Sequence, residues 1–506
     1  MREKIKDAFQ EWFTMMNPPV FFGAAGIVVG FILFGGIWTE TASTVFDSVL
    51  AFISTNFGTY YVFLTMIVLL VVIGLAISPY GKIRLGDPGE KPEFSRLAWF
   101  SMLFSAGMGM GLVFWGVAEP VMHYHSPPFA SAESAQAKHE AMRFAFFHWG
   151  FHPWAVYILF GLGIAYFHFR HDLPLAPRSM LYPIFKERIH GPIGHAADIL
   201  CTVGTLLGVA TSLGLGAMQI NSGLKALTEI AFDTNNQLLV ILVITAVATT
   251  STVTGVGKGI KFLSIINLYL MAILLVFVMA VGPFLAQLEL FGTSLWSNIR
   301  ELPATSVWID DKEGSSWQTN WTIFYWGWWI SWCPFVGIFI ARVSRGRTIR
   351  EFILSVLLLP SLVTFLWFSV FGATAFDVME NGGNDLAEVV QQNESMALHK
   401  LLSYLPYAEV SQWVALLLVI IFFITSSDSG SLVDDMVTSG GHPDPPVVQR
   451  AFWGISEGAA AAVLILVGGL NALQSASISG GLIQSIILIG GGIGLVLALR
   501  KDQPKE

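Results

Sequence analysis

The chain has 506 residues, of which 54% are apolar, 13% aromatic and only 12% charged, with a formal net charge of −8. An ordinary soluble protein is about 25% charged, so a soluble enzyme, a disordered chain and a nucleic-acid binder are all excluded. Mean hydropathy of +0.64, with 17 Trp and 39 Phe, points to an all-α polytopic membrane protein.

The lead-in MREKIKDAFQEWF is charged and amphipathic and has no small-residue cleavage site, so no removable signal peptide is expected. A spanning helix needs about 20 mostly apolar residues. Windows of that kind lie near 20–38, 60–78, 97–117, 144–167, 198–222, 237–254, 260–284, 321–341, 352–375, 410–430, 447–468 and 476–499, twelve in all. They are continuous runs without period-two alternation, which excludes a β-barrel. Residues 285–320 differ: Leu290, Phe291 and Trp296 alternate with Asn298, Arg300 and Glu301, predicting an amphipathic interfacial helix and then a loop. The chain thus divides into a cytoplasmic N-terminus with two peripheral spans (1–96), a first block of five spans (97–284), the interfacial segment (285–320), a second block (321–500) and a short tail (501–506). Cys201 and Cys333 both fall in apolar runs, so no disulfide framework is expected.

Orientation follows from the basic residues. With the N-terminus inside, 21 of the 27 Lys and Arg fall on the cytoplasmic side, and Lys138, Arg143, Lys225, Arg300, Lys312 and Lys400 fall outside. Both termini are therefore expected in the cytoplasm of a cell (inner or plasma) membrane protein.

Four segments carry chemistry. In the third span, Ser105-Ala106-Gly107-Met108-Gly109-Met110-Gly111 places glycine at every second position. Each costs about 1 kcal/mol in a helix, which permits unwinding around an ion or substrate, though small residues also serve tight helix packing. The fourth span opens His148-Trp149-Gly150-Phe151-His152-Pro153-Trp154-Ala155-Val156-Tyr157. Two histidines four apart suit a metal, but no carboxylate lies between them and Pro153 breaks the helix, so the aromatic residues are the better candidates. The eighth span holds Trp321, Trp326, Trp328, Trp329 and Trp332, with Trp328 and Trp332 expected to stack on one face and Gly327 and Pro334 expected to make the segment irregular. So many indoles exceed an interfacial belt and suit a cage for a quaternary ammonium group. The tenth span ends Thr425-Ser426-Ser427-Asp428-Ser429, oxygen donors suited to a hard cation, or to helix back-bonding. Asp428 and Glu457 are intramembrane acids of unassigned role. Broken segments begin two five-span blocks of odd parity, the pattern of inverted-repeat transporters.

The run Asn320–Arg350, ending Ala341-Arg342-Val343-Ser344-Arg345-Gly346-Arg347-Thr348-Ile349-Arg350, together with the glycine stretch, His148–Tyr157, Gly255-Val256-Gly257-Lys258-Gly259 and Thr425–Ser431, resembles the betaine–choline–carnitine transporter family over nearly the whole chain. The resemblance implies twelve spans, the last ten a LeuT-like 5+5 inverted repeat, usually as a homotrimer in lipid. It implies a substrate box at Trp149, Trp154, Tyr157 and Trp329, with Trp328 and Trp332 beside it and Gly107, Met108, Gly109 and Gly111 approaching the substrate. It implies a sodium site at Thr425, Ser426 and the backbone near Ser105, Met108 and Phe422, and a weaker one at Thr205 and Phe335. There the chain departs from the pattern, with Val209 where some sodium-coupled members carry Thr. Gly111 stands where choline carriers tend to have Asp, and Asn267 where sodium-independent carnitine antiporters place Arg. The resemblance therefore implies sodium-coupled import of glycine betaine or a similar trimethylammonium or sulfonium zwitterion, with no cofactor beyond the coupling ion. The alternatives are proton coupling, choline or a carnitine-type transporter. A channel is disfavoured by the absence of a four-fold pore-loop pattern, and an intramembrane enzyme using His148 and His152 lacks a complete ligand set.

Overall fold

The computed structural model describes residues 12–502 apart from 108, 254–256, 313 and 384. Among these residues there is no strand, only an isolated bridge between Arg84 and Thr348. The helices, in chain order, are α1 (Pro18–Ile37), α2 (Thr39–Ile77), α3 (Arg96–Gly107), α4 (Met110–His125), α5 (Ala135–Trp149), α6 (Phe151–His171) and α7 (Pro192–Leu227). They continue with α8 (Thr234–Val253), α9 (Gly257–Val281), α10 (Phe284–Val307), α11 (Phe324–Arg342), α12 (Ile349–Glu380), α13 (Ala408–Thr438), α14 (Val447–Gly468) and α15 (Leu470–Lys501), joined by short helical turns.

Among the described residues, eleven helical stretches are long and apolar enough to cross a bilayer, with α5 and α6 counted as one. Within the remaining predicted window, 97–117, α3 ends at Gly107 and α4 begins at Met110, and Gly109 is extended (φ −133°, ψ −158°). The fourth span is also broken, at Gly150 (φ −103°, ψ −122°) and not at Pro153. A side chain on Gly150 would lie 2.5 Å from the Phe146 carbonyl oxygen and the Phe365 ring. The irregularity expected at Gly327 and Pro334 is absent: α11 runs unbroken through both, preceded by a π turn at Thr319–Ile323. Gly327 is instead a crossing point, since a β-carbon there would lie 2.7 Å from the Ile478 Cα on α15. Helix α2 begins 21 residues before the predicted window of 60–78. Its polar residues satisfy themselves on the helix: Ser48 Oγ donates to the Thr44 carbonyl and Asn56 Nδ2 to that of Phe52.

Burial sorts the helices. The most apolar window of α11 with its π turn is 94% buried, whereas those of α8 and α9 are 22% buried and present Leu242, Phe262 and Tyr269 outward. Helix α11 packs on α6, α15 and α7; α7 packs in turn on α13, α14 and α15. Helix α10 is amphipathic in an inverted sense, burying Gln287, Ser294 and Asn298 and exposing Leu285, Trp296 and Ile299.

The arginine-rich run after α11 is a structural clasp. Gly346 donates its N–H to the Leu85 carbonyl (2.7 Å), and Leu85 and Ile349 pair with Arg347 and Ile83 (2.8 Å each). Arg347 lies 4.5 Å over the Trp99 ring and bonds Glu351 at 2.7 Å; Arg345 bonds Glu90 at 2.6 Å, and Arg350 the Ala76 carbonyl at 2.7 Å. Gly346 has φ +79°, and a β-carbon there would meet the Lys91 carbonyl at 2.4 Å, so only glycine fits.

Candidate substrate and ion site

The break at Gly150 sends Trp149 and the Trp154–Tyr157 pair toward α11 from two helix ends. Trp149 meets Trp329 edge to face, with centroids 4.8 Å apart at 73°, and Tyr157 meets the same ring at 6.4 Å and 83°. Trp154 lies edge-on to Tyr157 at 5.5 Å. All four are buried. Trp149 and Tyr157 therefore meet at Trp329, with Trp154 behind Tyr157, and the Trp329 indole N–H donates to the His148 carbonyl at 2.9 Å.

The stacking partners on α11 differ from expectation. Trp328 does not stack on Trp332; these rings lie 6.3 Å apart at 66°. It stacks on its neighbour Trp329 (4.8 Å, 12°), which stacks in turn on Tyr325 (5.8 Å, 12°). The side-chain direction of consecutive bulky residues overrides the simple i, i+4 rule here, because both rings turn toward α4 and α5. Glycine makes room for them: a β-carbon on Gly111 would lie 2.7 Å from Trp328 and 2.9 Å from Trp149.

Gly109 joins this half to the ion candidates. The position of a β-carbon there is 3.7 Å from the Trp332 ring and 4.0 Å from Ser426 Oγ. Thr425 Oγ1 donates within its own helix, 2.9 Å from the Ile421 carbonyl and 3.2 Å from that of Phe422. Ser426 Oγ thus faces the third span at Gly109, one residue from Thr425 on α13. Gly107 ends α3; Met108 and the side chain of Ser105 lie outside the described residues, as do Gly255 and Val256. Phe335 packs edge-on against Trp332 at 5.3 Å. Thr205 is buried less than one turn from Gly208, against which Ser331 and Trp332 pack. Val209 turns its methyl groups to Gly430 on α13, 3.0 Å from the position of a β-carbon there, and offers no oxygen. Asn267 is buried on α9 with its side-chain oxygen unbonded. Glu457 is fully buried against Gly430, and neither its carboxylate nor that of Asp434 has a hydrogen-bond partner.

His148 and His152 diverge. His152 Nε2 contacts Ser306 Oγ at 3.0 Å, whereas His148 turns inward, with Nε2 2.9 Å from Thr322 Oγ1 on the π turn and Nδ1 2.7 Å from Glu119 Oε1. Glu119 is a residue that motif reading passed over. It is fully buried, and its second oxygen accepts the Trp149 indole N–H at 2.7 Å and the Tyr325 hydroxyl at 2.6 Å. His123 Nε2 reaches Oε1 at 3.2 Å, so Glu119, His123 and His148 place donor atoms within 4.8 Å of one another. The signal was present in the sequence: an intramembrane Glu119 with His123 one turn on is by default a functional candidate.

Buried indoles gathered edge to face and stacked, with oxygen donors one contact away, can hold an organic cation beside a hard inorganic one. Residues 19–504 match the family described as BCCT, betaine/carnitine/choline family transporter. The chain is 41% identical over 488 residues to a probable glycine betaine transporter of Desulfitobacterium hafniense, covering 96% of this chain and 98% of that protein. It is 44% identical over 487 residues to the glycine betaine transporter OpuD of Bacillus subtilis, covering 96% and 94%. It is 40% identical over 494 residues to the osmo-independent choline transporter BetT1 of Acinetobacter baylyi, covering 96% and 94%. The protein is accordingly a multi-pass membrane transporter for small cationic or zwitterionic substrates and not an enzyme. It belongs to the betaine/carnitine/choline transporter family.

Proposed function

We propose that the protein imports glycine betaine, or a closely similar methylated zwitterion, by sodium symport with alternating access. The observation that carries this reading is the buried cluster of Trp149, Tyr325, Trp328 and Trp329, whose π faces suit a trimethylammonium group. A zwitterion also needs hydrogen-bond donors for its carboxylate. The Tyr157 hydroxyl and the Trp328 and Trp332 indole nitrogens are buried, lie in the same cluster and have no partner. Gly111, where a carboxylate would serve a bare cation such as choline, favours the zwitterion.

Thr425 and Ser426, with backbone carbonyls of the broken third span, would hold the cotransported sodium ion, and Gly109 connects that contact to Trp332. Closing this contact ties α13 to the third span when substrate is loaded, and by linkage substrate must tighten sodium binding as much as sodium tightens substrate. The reading includes a LeuT-like inverted repeat of two five-helix blocks, a homotrimer in the cell membrane and both termini in the cytoplasm, from the 21 to 6 split of basic residues. A second reading, proton coupling, draws on the unbonded buried carboxylates of Asp434 and Glu457.

Proteoliposomes with an imposed sodium gradient, or a proton gradient alone, decide between them. Accumulation of labelled betaine with sodium only supports symport of sodium, and accumulation with protons only replaces it. A binding panel of betaine, choline, carnitine and sulfonium analogues, read by tryptophan fluorescence with and without sodium, tests the substrate. Choline binding as tight as betaine would overturn the zwitterion.

A further inference from the structure

The hydrogen bonds around Glu119 have a consequence for selectivity. A carboxylate offers about four acceptor positions, and here four donors surround it: His123 and His148 on one oxygen, Trp149 and Tyr325 on the other. Neither imidazole needs a second proton for these contacts. His148 can give its Nδ1 proton to Glu119 while Nε2 accepts the Thr322 hydroxyl, and His123 uses Nε2 while its Nδ1 has no partner at all. Among the described residues no Lys or Arg pairs with Glu119; the nearby Arg143 is engaged by Glu301. All four contacts can be made by neutral donors, so the geometry requires no protonated partner beside the Glu119 carboxylate.

Two of those donors belong to the aromatic cluster itself. An indole N–H or phenol O–H bonded to a carboxylate pushes electron density into its ring, and a richer ring attracts a cation more strongly. Trp149 and Tyr325 both contact Trp329, the ring at the centre of the box. We propose that Glu119 is a specificity-determining residue that makes the aromatic box prefer a cation, acting through Trp149 and Tyr325 without touching the substrate. The proposal rests on the box being the trimethylammonium site.

The test compares ligands of one shape and different charge. Glycine betaine and 3,3-dimethylbutyrate share a carboxylate and three methyl groups, but the first has a quaternary nitrogen where the second has carbon. Binding of both is measured on the purified full chain in sodium, for wild type, Glu119→Gln and Glu119→Asp. Glu119→Gln is expected to lower the betaine-to-isostere affinity ratio about tenfold, within the range of a buried cation–π interaction, and Glu119→Asp to restore most of it. Equal loss for both ligands would show a purely structural role and overturn the proposal. If Glu119→Gln does not fold, Tyr325→Phe keeps the ring and cuts one of the two links, and must lower the ratio about threefold by the same reasoning; an unchanged ratio again overturns it. A wild-type chain that binds both ligands alike overturns the cage reading, and this proposal with it.

Discussion

The two halves of the site are built differently. On the aromatic side three polar groups are tied to another helix: Trp149 and Tyr325 to Glu119 on α4, and Trp329 to the His148 carbonyl on α5. On the ion side the Thr425 hydroxyl bonds only to carbonyls of its own helix. The first half is preorganised, so binding there costs little rearrangement. On the proposed reading, the second would exchange internal hydrogen bonds for ligand contacts and would depend on α13 and the third span being brought together. The proposed alternating carrier would need one part that keeps its shape and one whose closure reports occupancy.

The sharpest way to break this contrast is to remove the central ring. Trp329→Leu deletes the partner shared by Trp149, Tyr157, Trp328 and Tyr325. Substrate affinity should fall by about 2 kcal/mol, roughly 30-fold, the scale of a desolvated cation–π contact. Unchanged binding in a fluorescence or isotope assay would remove the box. Gly111→Ala attacks the same half by crowding. Its methyl group would lie 2.7 and 2.9 Å from two indole rings, and overpacking of this kind costs about 1–3 kcal/mol. Affinity should fall about tenfold while the sodium requirement, read from the salt dependence of binding, stays fixed.

The opposite pattern is expected from Thr425→Ala combined with Ser426→Ala. The Thr425 hydroxyl bonds within its own helix and not to the rings, so betaine binding at saturating sodium should change by less than about twofold, whereas the sodium needed for half-saturation should rise about tenfold. An indifferent sodium dependence would refute the site. Equal damage to both quantities would show that the two halves are not separable.

The sequence disclosed this division unevenly. The indoles and the glycine run are local signals, dense enough to read directly, and Gly109, extended between α3 and α4, lies within that run. The network behind the rings was not legible, because Glu119, His123, His148, Thr322 and Tyr325 are separated by up to 206 positions and meet only when α4, α5 and α11 pack. Gly327 was misread for a related reason: a glycine in a helix signals either unwinding or close crossing, and only the neighbour, Ile478, decides. The early start of α2 escaped because polar residues that bond their own backbone look like loop in a hydropathy window.

The smallest effect is expected at the contact between the halves. Trp332 is edge-on to Phe335 and lies 3.7 Å from the Gly109 β-position, which is itself 4.0 Å from Ser426. Trp332→Phe retains an aromatic ring but shortens it and removes an unpaired indole donor. Neither the cage nor the ion oxygens are lost, so each affinity measured alone should weaken only about threefold, near the lower end for one net hydrogen bond. What should change is their mutual dependence. If closure of the third span on α13 is transmitted through this ring, the factor by which sodium tightens betaine binding must shrink, and the reciprocal factor must shrink equally. A full thermodynamic cycle, with each ligand titrated at low and saturating levels of the other, measures both factors. Undiminished coupling in Trp332→Phe would overturn transmission through Trp332.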